Sequence, residues 1–308
     1  MIVTDKLTKY YGSLAALVDL DLHIHPGDIF GFIGPNGAGK TTTMRILATL
    51  LEPTRGSAEI DGKDVAKRGK DVRRVVGYMP DFMGVYDDLK VFEYLEFFAA
   101  AFGVARSRRK AVIDGVLELT DLEAKRAMQV DSLSRGMQQR LQLARVLIHD
   151  PKVLILDEPA SGLDPRARIE IRELLRELKR MGKTIMISSH ILSELEEMCD
   201  HVGIIEHGKL IFSGTLAEIR QRMGVTSKVR VRVCGDMARA AELLSALPQV
   251  QAVQRLEDRL AVTLAEDAGD DGLIARTLVT AGLDVAELVP EQVKLDDAFL
   301  QLTKGLVH

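Results

Sequence analysis

Hydrophobic and polar positions change their period several times along the chain. Asp28-Ile29-Phe30-Gly31-Phe32-Ile33 is a short apolar run closing in a Gly-rich turn, the pattern of a buried strand. Thr41 to Leu51 then reads as a helix. Lys90 to Phe102 carries a broad apolar pattern with few breakers and predicts another, and Arg109 to Leu119 continues this helical middle. Lys152 to Asp157 is a second buried strand. Arg166 to Met181 repeats Leu, Arg and Glu at helical spacing, and Thr184 to Ser189 is a third strand. Strands alternating with helices predict an α/β layer around a mainly parallel sheet.

The pattern shifts near Gly224. Lys228 to Cys234 alternates Val with Arg, as a strand exposed on one face does. A helix (Ala238 to Leu247), two short strands (Val250 to Arg255, Arg259 to Thr263), a helix (Asp271 to Ala281) and a strand (Leu283 to Val289) follow. That order, β-α-β-β-α-β, is the split βαβ, ferredoxin-like arrangement of a small α+β domain. Leu295 to Lys304 adds a final helix. The expected domains are residues 1–224 and 225–308. No internal repeat or low-complexity segment interrupts them.

Composition narrows the class. A chain of 308 residues exceeds the usual span of one domain, in agreement with two. Hydrophobic residues at 46% and charged residues at 28% exclude a disordered or collagen-like chain. No run approaches the ~20 apolar residues of a membrane span, and Met1 to Lys6 has no secretion-signal pattern. A net charge of −4 gives no footprint for nucleic acid, so no nucleic-acid partner is expected. The basic run Arg106 to Lys110 reads as a solvated helix face. Two cysteines, Cys199 and Cys234, form neither a CxxC nor a metal-ligand spacing, which makes reduced thiols the default.

The chemistry begins at Gly34-Pro35-Asn36-Gly37-Ala38-Gly39-Lys40-Thr41, a full G-x-x-x-x-G-K-[ST] between a predicted strand and a predicted helix. Glycines let the backbone wrap its N–H groups onto phosphate oxygens, and the helix N-terminus adds its positive end. Lys40 is placed to reach the β- and γ-phosphates, and Thr41 to ligate Mg²⁺. A second metal carboxylate is expected at a neighbouring strand end, where Asp157 closes Val153-Leu154-Ile155-Leu156. Glu158 follows it, positioned to polarise an attacking water.

Between these motifs lies Leu133-Ser134-Arg135-Gly136-Met137-Gln138-Gln139-Arg140. With it the chain resembles the nucleotide-binding subunits of ATP-binding cassette (ABC) transporters, which carry Leu-Ser-Gly-Gly-Gln between two Walker motifs. The resemblance covers roughly residues 3–220. Pro159-Ala160-Ser161-Gly162-Leu163-Asp164 is similar to the family's D-loop and His190 to its switch histidine. Tyr11 takes the place of the aromatic that stacks on adenine, with Tyr10 an alternative register. The family implies a RecA-like core with a helical subdomain at about residues 82–145. It implies ATP and Mg²⁺ as cofactors and a nucleotide site that includes Gly34 to Thr41, Thr42, Ser134, Gly136 and Asp164. Ser134 caps a helix whose end, in the family, faces the γ-phosphate held by a second copy, so two chains pack head to tail around two ATPs. Glu158, His190 and Lys40 are the implied catalytic residues, and His190 holds the γ-phosphate and water in line.

Two departures stand out. Val75-Val76-Gly77-Tyr78-Met79-Pro80-Asp81 resembles the Q-loop, with Asp81 where the family has Gln. Asp keeps an oxygen for Mg²⁺ and loses the amide donor. Arg135 and Met137 replace a Gly and the Gln of the signature. Arg135 either reaches phosphates across the dimer or serves a solvent-facing or packing role. The aromatics Tyr86, Phe92, Tyr94, Phe97 and Phe98 form either core or a partner surface, in the region where family members touch a membrane permease. Leu7 to Gly12, Tyr78-Met79-Pro80 and Leu295 to Leu300 resemble exporters with separate ATPase and permease chains, which implies a cytoplasmic subunit bound to the inner face of the membrane. A soluble ABC ATPase of translation or repair, and a nucleotide-gated scaffold, are the alternatives.

Overall fold

The computed structural model describes residues 1–81, 88–191, 195–196, 198–222, 228–265 and 272–291. The chain divides into two compact units, Met1–Leu216 and Ala217–His308. In chain order the first opens with β1 (Ile2–Tyr11), β2 (Leu14–Ile24), β3 (Ile29–Ile33), α1 (Lys40–Leu47), β4 (Arg55–Ile60), β5 (Lys63–Asp64), α2 (Gly69–Val75) and β6 (Val76–Met79). It continues with α3 (Val91–Ala101), α4 (Arg106–Leu119), α5 (Arg135–Leu147), β7 (Val153–Leu156), α6 (Pro165–Arg180), β8 (Thr184–Ser189), β9 (His201–Glu206) and β10 (Lys209–Gly214). α7 (Leu216–Arg222) crosses the division.

Two sheets organise this unit. One is six-stranded, in the order β10-β9-β3-β8-β7-β6. It is parallel from β9 to β6, with β10 antiparallel at one edge. β3, β7 and β8 are buried at every position, which is why they read as continuous apolar runs. The other sheet, β2-β1-β4-β5, is antiparallel and is absent from the sequence expectation. Register shifts near Thr4, Leu7 and Lys9 break the alternation of β1, so its period of two is lost to inspection.

α6 shows how a helix of this unit is specified. Ala167, Ile171, Leu174, Leu175 and Leu178 are buried, a stripe at helical spacing. Each fully buried Leu or Ile of that stripe contributes about 1.5–3 kcal/mol over exposure. Asp164 caps the N-terminus through Oδ1, which accepts from Ala167 N at 2.9 Å, and Pro165 takes the first turn, where it has no amide bond to lose. Lys179 and Arg180 complement the dipole at the other end. α1 is shorter than expected. It stops at Leu47 because Thr49 takes a left-handed backbone, with φ at 62°. α4 instead starts early, within the basic run, where Arg109 pairs with Glu96 at 3.1 Å and the other basic side chains are exposed.

The second unit follows with β11 (Lys228–Cys234), α8 (Met237–Ser245), β12 (Val250–Arg255), β13 (Leu260–Leu264), α9 (Leu273–Thr280) and β14 (Asp284–Glu291). Its sheet runs β12-β13-β11-β14, antiparallel throughout. Val229, Val231 and Val233 turn inward onto Leu244, Leu260, Val262 and Leu278, while the alternate residues of β11 are exposed. The helix expected at Leu295 to Lys304, and Tyr86, lie outside the described residues.

Candidate active site

β3 ends at Ile33, and the glycine-rich loop turns from it into α1. Gly34 has no room for a side chain, since a Cβ there would stand 2.3 Å from the Ile205 carbonyl oxygen. Gly39 has φ at 112°, a conformation glycine adopts without penalty. α1 has no side-chain cap and no acidic residue in its first turn, so its first N–H groups are left for an anion. Lys40 is buried. Its Nζ donates to Gly34 O at 2.6 Å and Pro35 O at 3.3 Å, and lies 3.6 Å from Glu158 Oε1. A loop with no room for a Cβ at Gly34 or Gly39, with buried Lys40 beside an uncapped helix start, fits a phosphate chain.

Pairing of β3 with β8, and of β8 with β7, brings the remaining groups alongside. Asp157 is buried, and its Oδ1 accepts a hydrogen bond from Ser188 Oγ at 2.6 Å. The same hydroxyl accepts from Glu158 N at 2.8 Å. Glu158 occupies the left-handed region with φ at 51°, a strained state for a non-glycine residue. Its Oε2 lies 2.9 Å from His190 Nδ1, so one carboxylate spans the lysine and the histidine. Asp81 follows β6, the neighbour of β7. Burial first, then the charges of Asp157 and Glu158, raise its carboxyl above the ordinary value, against the pull of Arg135 and His190.

The sequence-derived residues fall into two groups. Tyr11, Pro35, Asn36, Gly37, Ala38, Gly39, Lys40, Thr41, Thr42, Asp81 and Glu158 line one cavity of about 300 Å³ together with Leu14 and Ala16. Tyr11 is among them and Tyr10 is not. Asp157 and His190 join this group through Ser188 and Glu158. Ser134, Gly136 and Asp164 line a different depression with Arg135, Met137 and Gly162, and the two share no residue. Ser134 caps α5 through Oγ, which accepts from Met137 N at 3.4 Å. Gly136 lets α5 approach α6, since a Cβ there would stand 2.9 Å from Ala167 Cβ.

The model of the ABC transporter family matches residues 17–161. The bacitracin transport ATP-binding protein of Bacillus licheniformis is 37% identical over 306 residues, covering 99% of this chain and 98% of that one. The chain belongs to the ABC transporter family. It is an ATP-binding, ATP-hydrolysing subunit. The Nod factor export ATP-binding protein I of Paraburkholderia xenovorans is 42% identical over 210 residues, 68% of this chain and 69% of that protein. A dimeric bacterial ABC transporter cassette superposes with a TM-score of 0.64 at 25% identity, over 70% of this chain and 99% of its own. Cassettes of this ABC family thus share the fold and form dimers. Among the described residues of this ABC subunit, no helix is long and apolar enough to cross a membrane.

Ser188 belongs to no local motif: in sequence it is a hydroxyl near the end of an apolar strand, and its use depends on a strand pairing. Of the aromatics, Tyr94 is fully buried and Phe97 is half exposed. Phe98 and Phe102 line a groove of the ABC subunit with Tyr78, Arg45, Arg73 and Arg145.

Proposed function

We propose that this ABC ATPase is the motor of an exporter, closing head to tail with a second copy around two ATP molecules and driving a separate membrane permease. The observation that supports this most directly is the separation of the signature group, Ser134, Gly136 and Asp164, from the phosphate cradle on one chain. Each copy then offers two complementary halves. A chain joined to its permease would sit at the cytoplasmic face of the membrane. Export draws on the printed names of the relatives, one of which exports Nod factor.

Bound ATP with Mg²⁺ supplies the γ-phosphoryl group that accepts water. Residues 34–42 would bind its phosphates, and Tyr11 would take the adenine. Thr41, Asp157 and Asp81 would hold the metal. Lys40 leaves its carbonyl partners to neutralise phosphate charge. Glu158 takes the proton of the attacking water, and His190, 2.9 Å from it, orients both. Ser188 fixes the aim of Asp157 and the backbone of Glu158. Ser134 and the backbone N–H groups that open α5 would meet the phosphates held by the partner copy.

The groove of Arg45, Arg73, Tyr78, Phe98, Phe102, Arg145 and His149 contains no carboxylate among its described lining residues. Its charge and aromatic walls favour an acidic, apolar permease segment. The second unit, whose element order and sheet order are those of a ferredoxin-like domain, is read as an accessory domain on a cassette of residues 1–224.

Glu158→Gln is the test. This variant should form ATP-dependent dimers in light scattering while phosphate release slows by ~10²-fold or more. Near-normal turnover would remove Glu158 from the role of base, and absence of ATP-dependent dimers would remove the head-to-tail closure.

A further inference from the structure

The signature carries a large cation, Arg135, at a position where the family has glycine, and the structure shows where it goes. Arg135 opens α5. Its guanidinium lies across Gly162. A Cβ on Gly162 would stand 2.4 Å from Arg135 Cζ and 2.6 Å from each terminal nitrogen. Gly162 also has φ at 66°, so both its space and its backbone suit glycine. The guanidinium thus occupies the space that a side chain at Gly162 would take.

That loop is short and leads straight to the chemistry. It starts at Glu158 and ends at Asp164, the cap of α6. Ser161 N donates to Glu158 O at 3.1 Å and Leu163 N to Ala160 O at 3.4 Å, so Gly162 sits in a turn that is tied to Glu158 itself. Glu158 needs such support, because its own backbone is held in the left-handed region. A weakly hydrated guanidinium can pack against a backbone turn at less cost than the compact, strongly hydrated ammonium of lysine.

We propose that Arg135 is a positioning residue for hydrolysis, bracing the D-loop of its own chain at Gly162 and so holding the turn that aims Glu158. The brace acts within one chain, before any partner arrives. It rests on the reading of Glu158 as the base, and it makes the signature helix part of the machinery of its own Walker B turn.

Arg135→Gly and Arg135→Lys test this with three measurements. Phosphate release is followed against ATP concentration. Hydrogen exchange of the amides of residues 160–163 is followed without nucleotide. ATP-dependent dimerisation is followed with Glu158→Gln in the same chain. The brace predicts that Arg135→Gly lowers kcat by about ten-fold, within the range of small misplacements of a reacting group, while KM for ATP holds. It also predicts faster exchange at the loop amides, dimers that persist, and recovery by Lys that is no more than partial. Unchanged kcat and exchange would overturn it. So would lost dimerisation with unchanged exchange, or full recovery by Lys, because either result assigns the residue to the partner's nucleotide through its charge. The exchange measurement needs no ATP. A wild-type chain that failed to hydrolyse would count against the base, while exchange still judged the brace.

Discussion

At the scale of the residue, one hydroxyl serves both acids of the site. Ser188 Oγ donates to Asp157 Oδ1 and accepts from Glu158 N, at 2.6 and 2.8 Å. Ser188→Ala deletes a hydrogen bond to a charged, buried group, an interaction of about 1.5–3 kcal/mol. The variant should melt earlier in calorimetry and turn over ATP more slowly, because Asp157 loses its fixed aim. Lys40, Asp157 and Glu158 were legible in the sequence because their neighbours along the chain announce them. Ser188 was not, because its partners are set by the pairing of β7 with β8 across more than twenty residues. Arg135 stood between two readings from sequence, and its contact with Gly162 is a tertiary fact that no local spacing encodes.

At the scale of the element, visibility followed burial. β8 and β11 were read to the residue, the first because both faces are buried and the second because Val and Arg alternate strictly. β1 was missed because bulges interrupt its alternation. The segment after α5 gives a pH dependence. His149 stacks on Phe102 with ring centroids 4.4 Å apart, and its Nε2 is 3.0 Å from Val76 O. Burial, the largest influence, lowers its pKa; the Val76 contact and Asp150 oppose this, and Lys183 adds to it. The folded state therefore prefers the neutral ring. Its contribution to stability is complete above histidine's ordinary value of about 6.5 and is lost as pH falls below it. Thermal melts between pH 7 and pH 5 should show a steeper loss for the natural chain than for His149→Gln, which keeps a donor for Val76 without a group that titrates there.

At the scale of the molecule, the α/β layer was foreseen and the antiparallel sheet was not, since strand order in space is not written in element order. The basic, aromatic groove becomes testable here as a docking surface. Charge reversal at two of its rims, Arg73→Glu with Arg145→Glu, should abolish co-purification with the membrane permease, with nucleotide affinity of the isolated chain serving as the control for folding. Retained co-purification would move the contact elsewhere.

The place of β3 in the central sheet has a consequence for synthesis. β3 carries the phosphate loop, yet among the described residues its strand partners are β8 and β9, so Ile29 finds Ile185 and Phe30 finds His201. Ile29 and Ile185 are 156 residues apart (185 − 29), so that much more chain must follow before β8 can cover β3. Such distant closure is slow and leaves an apolar strand open to wrong partners. A nascent chain thus displays a strand that is buried at every position in the fold until β8 and β9 arrive to shield it.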